Sequence, residues 1–181
     1  MTDTDRTKIL KEKLLSAGID EIAAHGAEDF SLRRVAAACG ASCAAPYKHF
    51  KNKEEFIQAT IQYIDEKWNR LSRQIVASFD DPCERIPRLC AANVRFKLAN
   101  PLYSMGGQSF TPSITDEIRA LCKRDGRSDE TILLFSVSAM VSGTAWLISS
   151  GKLENSQDVM DLLMQKVSEE ISLKDSHEKE I

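Results

Sequence analysis

The sequence predicts an all-α chain of about nine helices, and three observations carry that prediction. Apolar residues recur at three- and four-residue spacing along most of the chain, the period of a helix that buries one face. No stretch alternates apolar and polar residues in the manner of a half-buried strand. The breaks between periodic stretches fall on Gly, Pro and Asp, which stop and start helices. No internal repeat is present.

Leu15, Gly18, Ile19 and Ile22 form the stripe of a first helix, with Lys11, Asp20 and Glu21 turned away, and His25-Gly26 ends it. Ser31 can cap a short second helix that buries Leu32, Val35 and Ala36 and stops at Gly40. Ser42 can cap a short third helix carrying Pro46, Tyr47 and Phe50. A long fourth helix follows Asn52, its stripe running through Phe56, Ile57, Ile61, Ile64, Trp68, Leu71 and Ile75. Asp80-Asp81-Pro82 is the clearest break: Asp81 can cap, Pro82 suits the first helical position and Glu84 completes a capping box. That unit runs to about Ala99 with Pro87 as a candidate kink. A Gly- and Pro-rich stretch from Asn100 to Pro112 separates it from a helix near Ile114 to Arg124. After Asp125-Gly126-Arg127, two last helices span about Asp129 to Ser149 and Ser156 to Ser172, with a turn at Gly151 and a charged tail.

The 181 residues are 43% hydrophobic and 28% charged, enough for one core or for a small module joined to a larger one. The expected division is 1–53 and 54–181, with a linking helix at about 52–79. The longest apolar stretches, Ile132 to Val137 and Ala145 to Ile148, are interrupted well before the roughly 20 residues of a membrane span, so no span is expected. Met1 to Lys13 mixes acids and bases without the apolar block of a secretory signal, and a cytoplasmic protein is expected. The five cysteines form no CxxC pair and have no His pair beside them. They read as reduced thiols without a metal.

The net charge of -3 hides an asymmetry: from Phe30 to Lys53 the chain has Arg33, Arg34, Lys48, Lys51 and Lys53 and no acid. A local basic patch of this kind suits a polyanion. The segment Ser31 to Phe50, SLRRVAAACGASCAAPYKHF, meets the demands of a helix-turn-helix. Two closely crossing helices need a small residue near the crossing and, four positions on, one tolerant of positive φ. Ala36 and Gly40 meet both. Val35, Cys39, Ala41 and Pro46 supply the inward positions, which leaves a face of the third helix free for DNA.

These residues resemble the DNA-binding domain of TetR-like (AcrR-type) transcriptional regulators. The likeness rests on LLSAGIDEIAAHG (Leu14 to Gly26), FSLRRVAAACGAS (Phe30 to Ser42) and PYKHFKNKEEF (Pro46 to Phe56). Farther on, ANPLYSMGG (Ala99 to Gly107) and SGTAWLISSGKL (Ser142 to Leu153) look like patterns of some effector domains of the family, one of which has His where this chain has Ser142. The resemblance implies an N-terminal three-helix DNA-binding domain and a C-terminal helical domain for effector binding and dimerisation. Carried over, Ser31 and Arg33 contact phosphate. Cys43, Ala44, Ala45 and Lys48 lie on or near the base-reading surface. Tyr47 and His49 reach the sugar-phosphate backbone, and Lys53 adds its charge to a helix N-terminus facing a phosphate. Ala44 and Ala45 cannot donate hydrogen bonds, so readout depends on thymine methyls, Lys48 and DNA shape.

One such module makes few base contacts, so a homodimer on a palindromic or nearly palindromic double-stranded operator is expected, with half-sites about 34 Å apart. Met140, Val141, Ala145 and Ile148, with Val159, Leu162, Leu163, Val167 and Ile171, are the candidate interface on the last two helices. The family resemblance also implies a small-molecule effector among the middle helices, and a mostly apolar one is expected. Phe96, Met105, Phe110 and Trp146 are candidates to line its site, with Asn93 or Arg119 to orient a polar group. No cofactor is expected. No GxSxG, P-loop, HExxH or dinucleotide fingerprint occurs, and His25, His49 and His177 are scattered, so an enzyme is not expected. Two alternatives remain: a regulator triggered by oxidation of Cys39 or Cys43, and a helical interaction protein without DNA binding.

Overall fold

The structure, a computed structural model, describes residues 3–26, 28–100, 103 and 112–173. Among these there are seven α-helices and no strand, fewer than the nine or so expected. They are α1 (Asp3–His25), α2 (Leu32–Ala38), α3 (Lys53–Ser78), α4 (Pro82–Ala99), α5 (Pro112–Asp125), α6 (Glu130–Ser149) and α7 (Gln157–Ser172). The expected third helix is instead a turn at 43–45 followed by one 3-10 turn, Pro46–Lys48. Pro46 is the cause. An α-helix begun at Ser42 needs the N–H of residue 46 on the Ser42 carbonyl, and Pro has none. The Ser42 carbonyl takes the Ala45 N–H at 2.9 Å, and Lys48 and His49 donate to Ala45 and Pro46, the three-residue spacing of a 3-10 turn.

The contacts divide the chain into two compact units, Met1–Lys67 with Asn100–Gly106 and Trp68–Ala99 with Gly107–Ile181. The expected boundary at 53/54 marks the start of α3, and the two units part within that helix.

In the N-terminal unit, the apolar stripe of α1 buries Leu14, Leu15, Ile19 and Ile22, and α2 buries Val35 and Ala36. The Phe56 ring lies between Phe30 and Phe50, with centroids at 5.3 and 4.8 Å. Gly18 makes room for it: a Cβ there would stand 2.5 Å from Phe56 Cε1. Glu21, expected to face solvent, is only 9% exposed. Its carboxylate accepts from the Ser31 N–H at 3.2 Å and from Arg34 Nε at 2.6 Å. The Arg34 hydrogen bond, against the effect of burial, holds the Glu21 carboxyl below its ordinary range.

α2 ends in a Schellman motif: Gly40, at φ +64°, donates to Ala37 and Ala41 donates to Ala36. Asn52 starts α3. Its Oδ1 accepts from the Glu55 N–H at 2.8 Å, and Glu55 Oε2 reaches back to the Lys51 N–H at 2.7 Å, the reciprocal logic of a capping box.

In the C-terminal unit α4 is central, packing against α5, α6 and α7. It contributes Ile86, Leu89, Cys90 and Val94 to a core that includes Ile118, Leu121, Leu133, Val137, Met160 and Val167. Asp81 caps α4 through the Cys83 N–H at 2.9 Å, while Glu84 turns to Arg88 at 3.8 Å. Pro87 is carried inside α4 and buried; near the start of a helix it removes a single backbone bond. Arg127 follows the Schellman turn at Gly126, pairs with Asp129 at 2.6 Å, and donates to the carbonyls of Ile171 and Leu173 at the end of α7.

α6 is long and apolar enough, by length and composition, to cross a membrane, where the sequence led to an expectation of no such helix. Leu133, Val137, Val141 and Ile148 face the core, while Ile132, Phe135 and Trp146 lie on the surface.

Candidate nucleic-acid interface

The Ser31 side chain accepts from the Arg34 N–H at 3.4 Å and so caps α2. This sets the start of α2 beside the start of α3. The two helix starts border a cleft of about 430 Å³ lined by Phe30, Ser31, Leu32, Arg33, Tyr47, Lys51, Asn52 and Lys53. Three of these side chains are cationic and none is acidic. Of the expected DNA-contacting residues the cleft brings together Ser31, Arg33, Tyr47 and Lys53. It adds Lys51 and Asn52, whose part was legible in the N-x-x-E capping pattern of Asn52 and Glu55.

Arg33 is exposed, and Tyr47 is 61% exposed, so its ring is free of the core. Lys53 lies 5.8 Å from the Phe30 ring centroid and donates to the Glu28 carbonyl at 2.9 Å. Arg34 is different: it is spent on Glu21 and Asp29, leaving Arg33, Lys48, Lys51 and Lys53 as the basic group.

On the following turn Cys43, Ala44 and Lys48 are exposed. Ala45 is a correction. It is 7% exposed, because the 3-10 winding turns its methyl inward beside the buried Pro46. It therefore cannot reach a base. His49 is half-buried beside Phe50. Burial, then the charges of Lys11 and Lys48, lower its pKa, so the ring is neutral near pH 7 and bonds as imidazole. Cys39 is half-buried, its Sγ donating to the Lys13 carbonyl at 3.5 Å. Burial pushes its thiol up, away from the thiolate an oxidation switch needs.

The expected effector residues divide. Asn93 and Phe96 are buried on α4, and the Phe96 ring lies 5.4 Å from that of Trp68. Arg119 is instead on the surface, paired with Glu130 at 3.1 Å and Asp116 at 3.9 Å. Trp146 is 54% exposed with Lys152 over its ring at 4.2 Å. Neither lines an interior site, because both occupy the outward face of their helices. Met105 and Phe110 lie outside the described residues. Trp68 and Lys97, which share this unit, were missed; the stripe on α3 gave a signal for Trp68, but nothing local marked Lys97. Among the described residues no cluster of His, Cys, Asp and Glu could hold a metal.

The N-terminal unit thus carries α2, the turn after it and a cationic cleft at the starts of α2 and α3, and the second unit is a helical bundle. Residues 14–60 match the family described as "Bacterial regulatory proteins, tetR family". No curated protein matches the chain.

Solved structures share the fold. A TetR family transcription regulator from Marinobacter aquaeolei is 18% identical with a TM-score of 0.67, covering 94% of this chain and 98% of its own. The transcriptional regulator FadR from Bacillus subtilis, in complex with stearoyl-CoA, is 14% identical with a TM-score of 0.63, covering 88% and 96%. A TetR protein from Acinetobacter baumannii, in complex with minocycline, is 18% identical with a TM-score of 0.53, covering 87% and 92%.

Proposed function

We propose that the chain is a ligand-responsive repressor that binds a palindromic operator as a homodimer and releases it on binding a small, mostly apolar effector. The observation that carries this reading is the cleft at the starts of α2 and α3. Arg33, Lys51 and Lys53, the Tyr47 hydroxyl and two helix N-termini converge there with no acid among its lining residues, which is what a phosphate backbone requires. Cys43, Ala44 and Lys48 then face the bases.

The dimer reading shifts to a different face of the same helices. Val141, Ile148, Leu163, Val167 and Ile171 are buried in the subunit's own core, with Met140, Ala145 and Val159 packed against it. The exposed face of α6 carries Ile132, Phe135, Ala139, Ser142 and Trp146, alternating three and four residues apart like a coiled-coil seam. Beside its small centre a Cβ on Gly143 would meet nothing within 4 Å. Leu162 of α7 is exposed as well. Large apolar residues at the ends and small ones between suit a second copy of α6 packed closely across a two-fold axis. Fold neighbours that hold stearoyl-CoA and minocycline support a small-molecule effector.

The test is selection of bound duplexes from a random pool, followed by salt-dependent binding to the selected sequence. A palindrome with half-sites about 34 Å apart is expected. Arg33→Ala should weaken binding across sequences and reduce the salt slope by about one. Arg33 makes no hydrogen bond or ion pair with the described residues, so this variant isolates the DNA contact. A pool with no enriched sequence refutes the reading.

A further inference from the structure

α4 places Cys90, Asn93 and Lys97 on one stripe, spaced by three and four residues. Asn93 is 1% exposed, and among the described residues neither its Nδ2 nor its Oδ1 has a hydrogen-bond partner. Ser138 Oγ, on α6 packed against α4, is buried and unpartnered too. An amide taken out of water with both ends unmade is a standing cost to the fold. Buried side-chain polar atoms are nearly always partnered, so such an exception asks for what supplies the missing bonds.

The surroundings narrow the answer. One turn before Asn93, burial pushes the Cys90 thiol up to about 12, the mark of a dry, apolar site. One turn after it, Lys97 is half-buried, and burial is the sole cause that lowers its amine below the ordinary lysine value. Among the described residues no carboxylate is a cause that offsets that loss of hydration. Phe96, against Trp68, adds an aromatic wall to the same stretch of helix.

We propose that Asn93 and Lys97 form the polar end of the effector site and select a mostly apolar carboxylic acid that carries a hydrogen-bond donor, a hydroxyl or amide N–H, beside its carboxylate. The carboxylate accepts from Lys97 Nζ and Asn93 Nδ2, and the neighbouring donor satisfies Asn93 Oδ1. A neutral molecule leaves the lysine without a counter-charge, and a cation repels it. This inference rests on the reading of the C-terminal unit as the effector domain.

The experiment is titration calorimetry on the full chain with four probes of one alkyl length: N-decanoylglycine, decanoate, decanol and decylamine. N-decanoylglycine should bind most tightly, and at least about tenfold more tightly than decanol or decylamine. Asn93→Leu and Lys97→Met should each lower its affinity by at least about tenfold and leave decanol unaffected. Asn93→Asp, which keeps the shape, should also abolish acid binding, because its carboxylate takes Lys97 for itself. Far-UV circular dichroism and an unchanged or higher denaturation midpoint show that each variant is folded. Equal binding of decanol, acid binding that survives all three substitutions, or no binding of either acid overturns the proposal. Operator release separates the two readings. Release by neutral apolar molecules, indifferent to Asn93 and Lys97, sinks this inference and leaves the repressor standing. Acid binding that depends on both residues but never affects operator binding does the reverse.

Discussion

Gly18 shows how much a single atom decides in this fold. Its missing Cβ is the space that the Phe56 ring fills, at 2.5 and 2.7 Å from where that atom would stand. Phe56 is fully buried, with Phe30 and Phe50 against it, so the ring cannot swing aside. Gly18→Ala is therefore expected to destabilise the N-terminal unit by about 1–3 kcal/mol, despite the better helix propensity of Ala. A lowered urea midpoint at unchanged slope is the measurement. The spacing of Leu15, Gly18, Ile19 and Ile22 shows that Gly18 faces inward, but not that an aromatic ring from α3 needs the space. Ala44 and Ala45 make the same point. They are identical side chains one residue apart, and only the local winding exposes one and buries the other. Residue type was no guide at Arg119 and Trp146 either, since both can line a pocket or cover a surface.

At the scale of elements, the local rules were the most legible. The ends of α1 and α2 at Gly26 and Gly40, the Ser31 cap and the start of α4 at Pro82 follow from side chains that satisfy nearby backbone groups, so short sequence motifs announce them. The 3-10 turn was the exception, although its cause, Pro46, stood in plain view. The tie between α1 and α2 was not legible, because Glu21 on a helix surface reads as solvated until Ser31 and Arg34 are brought to it. That tie gives a pH dependence. The folded pKa of Glu21 is lowered below the ordinary glutamate value, chiefly by Arg34. Its contribution is therefore present above the unfolded value and is lost as pH falls through the folded one. Wild type should exceed Glu21→Gln in denaturation midpoint near neutral pH, and the gap should close in acid below about pH 4.3. A gap that persists unchanged well below that pH would show that the clamp does not act through its charge.

At the scale of the molecule, α6 has two different faces. One face builds the core with α4, α5 and α7. The other leaves Phe135 73% exposed and Trp146 54% exposed, more aromatic surface than a lone subunit has reason to show. On the proposed reading of a homodimer, Phe135→Glu should yield a monomer, halving the mass seen by sedimentation, while helical content is kept and affinity for the selected operator falls. A dimer that survives this change and Trp146→Glu places the interface elsewhere.

By itself the sequence determined the all-α class, the position of nearly every helix and the basic segment from Arg33 to Lys53. These depend on periodicity, capping and charge, which are properties of neighbours along the chain. Only the tertiary structure decided which face of α6 is core and which is surface, that Arg34 of the basic segment is spent on Glu21 and Asp29, and that Asn93 is buried with nothing to bond among the described residues. Each of those depends on what a distant helix brings into contact, and a single helix carries no record of its partners.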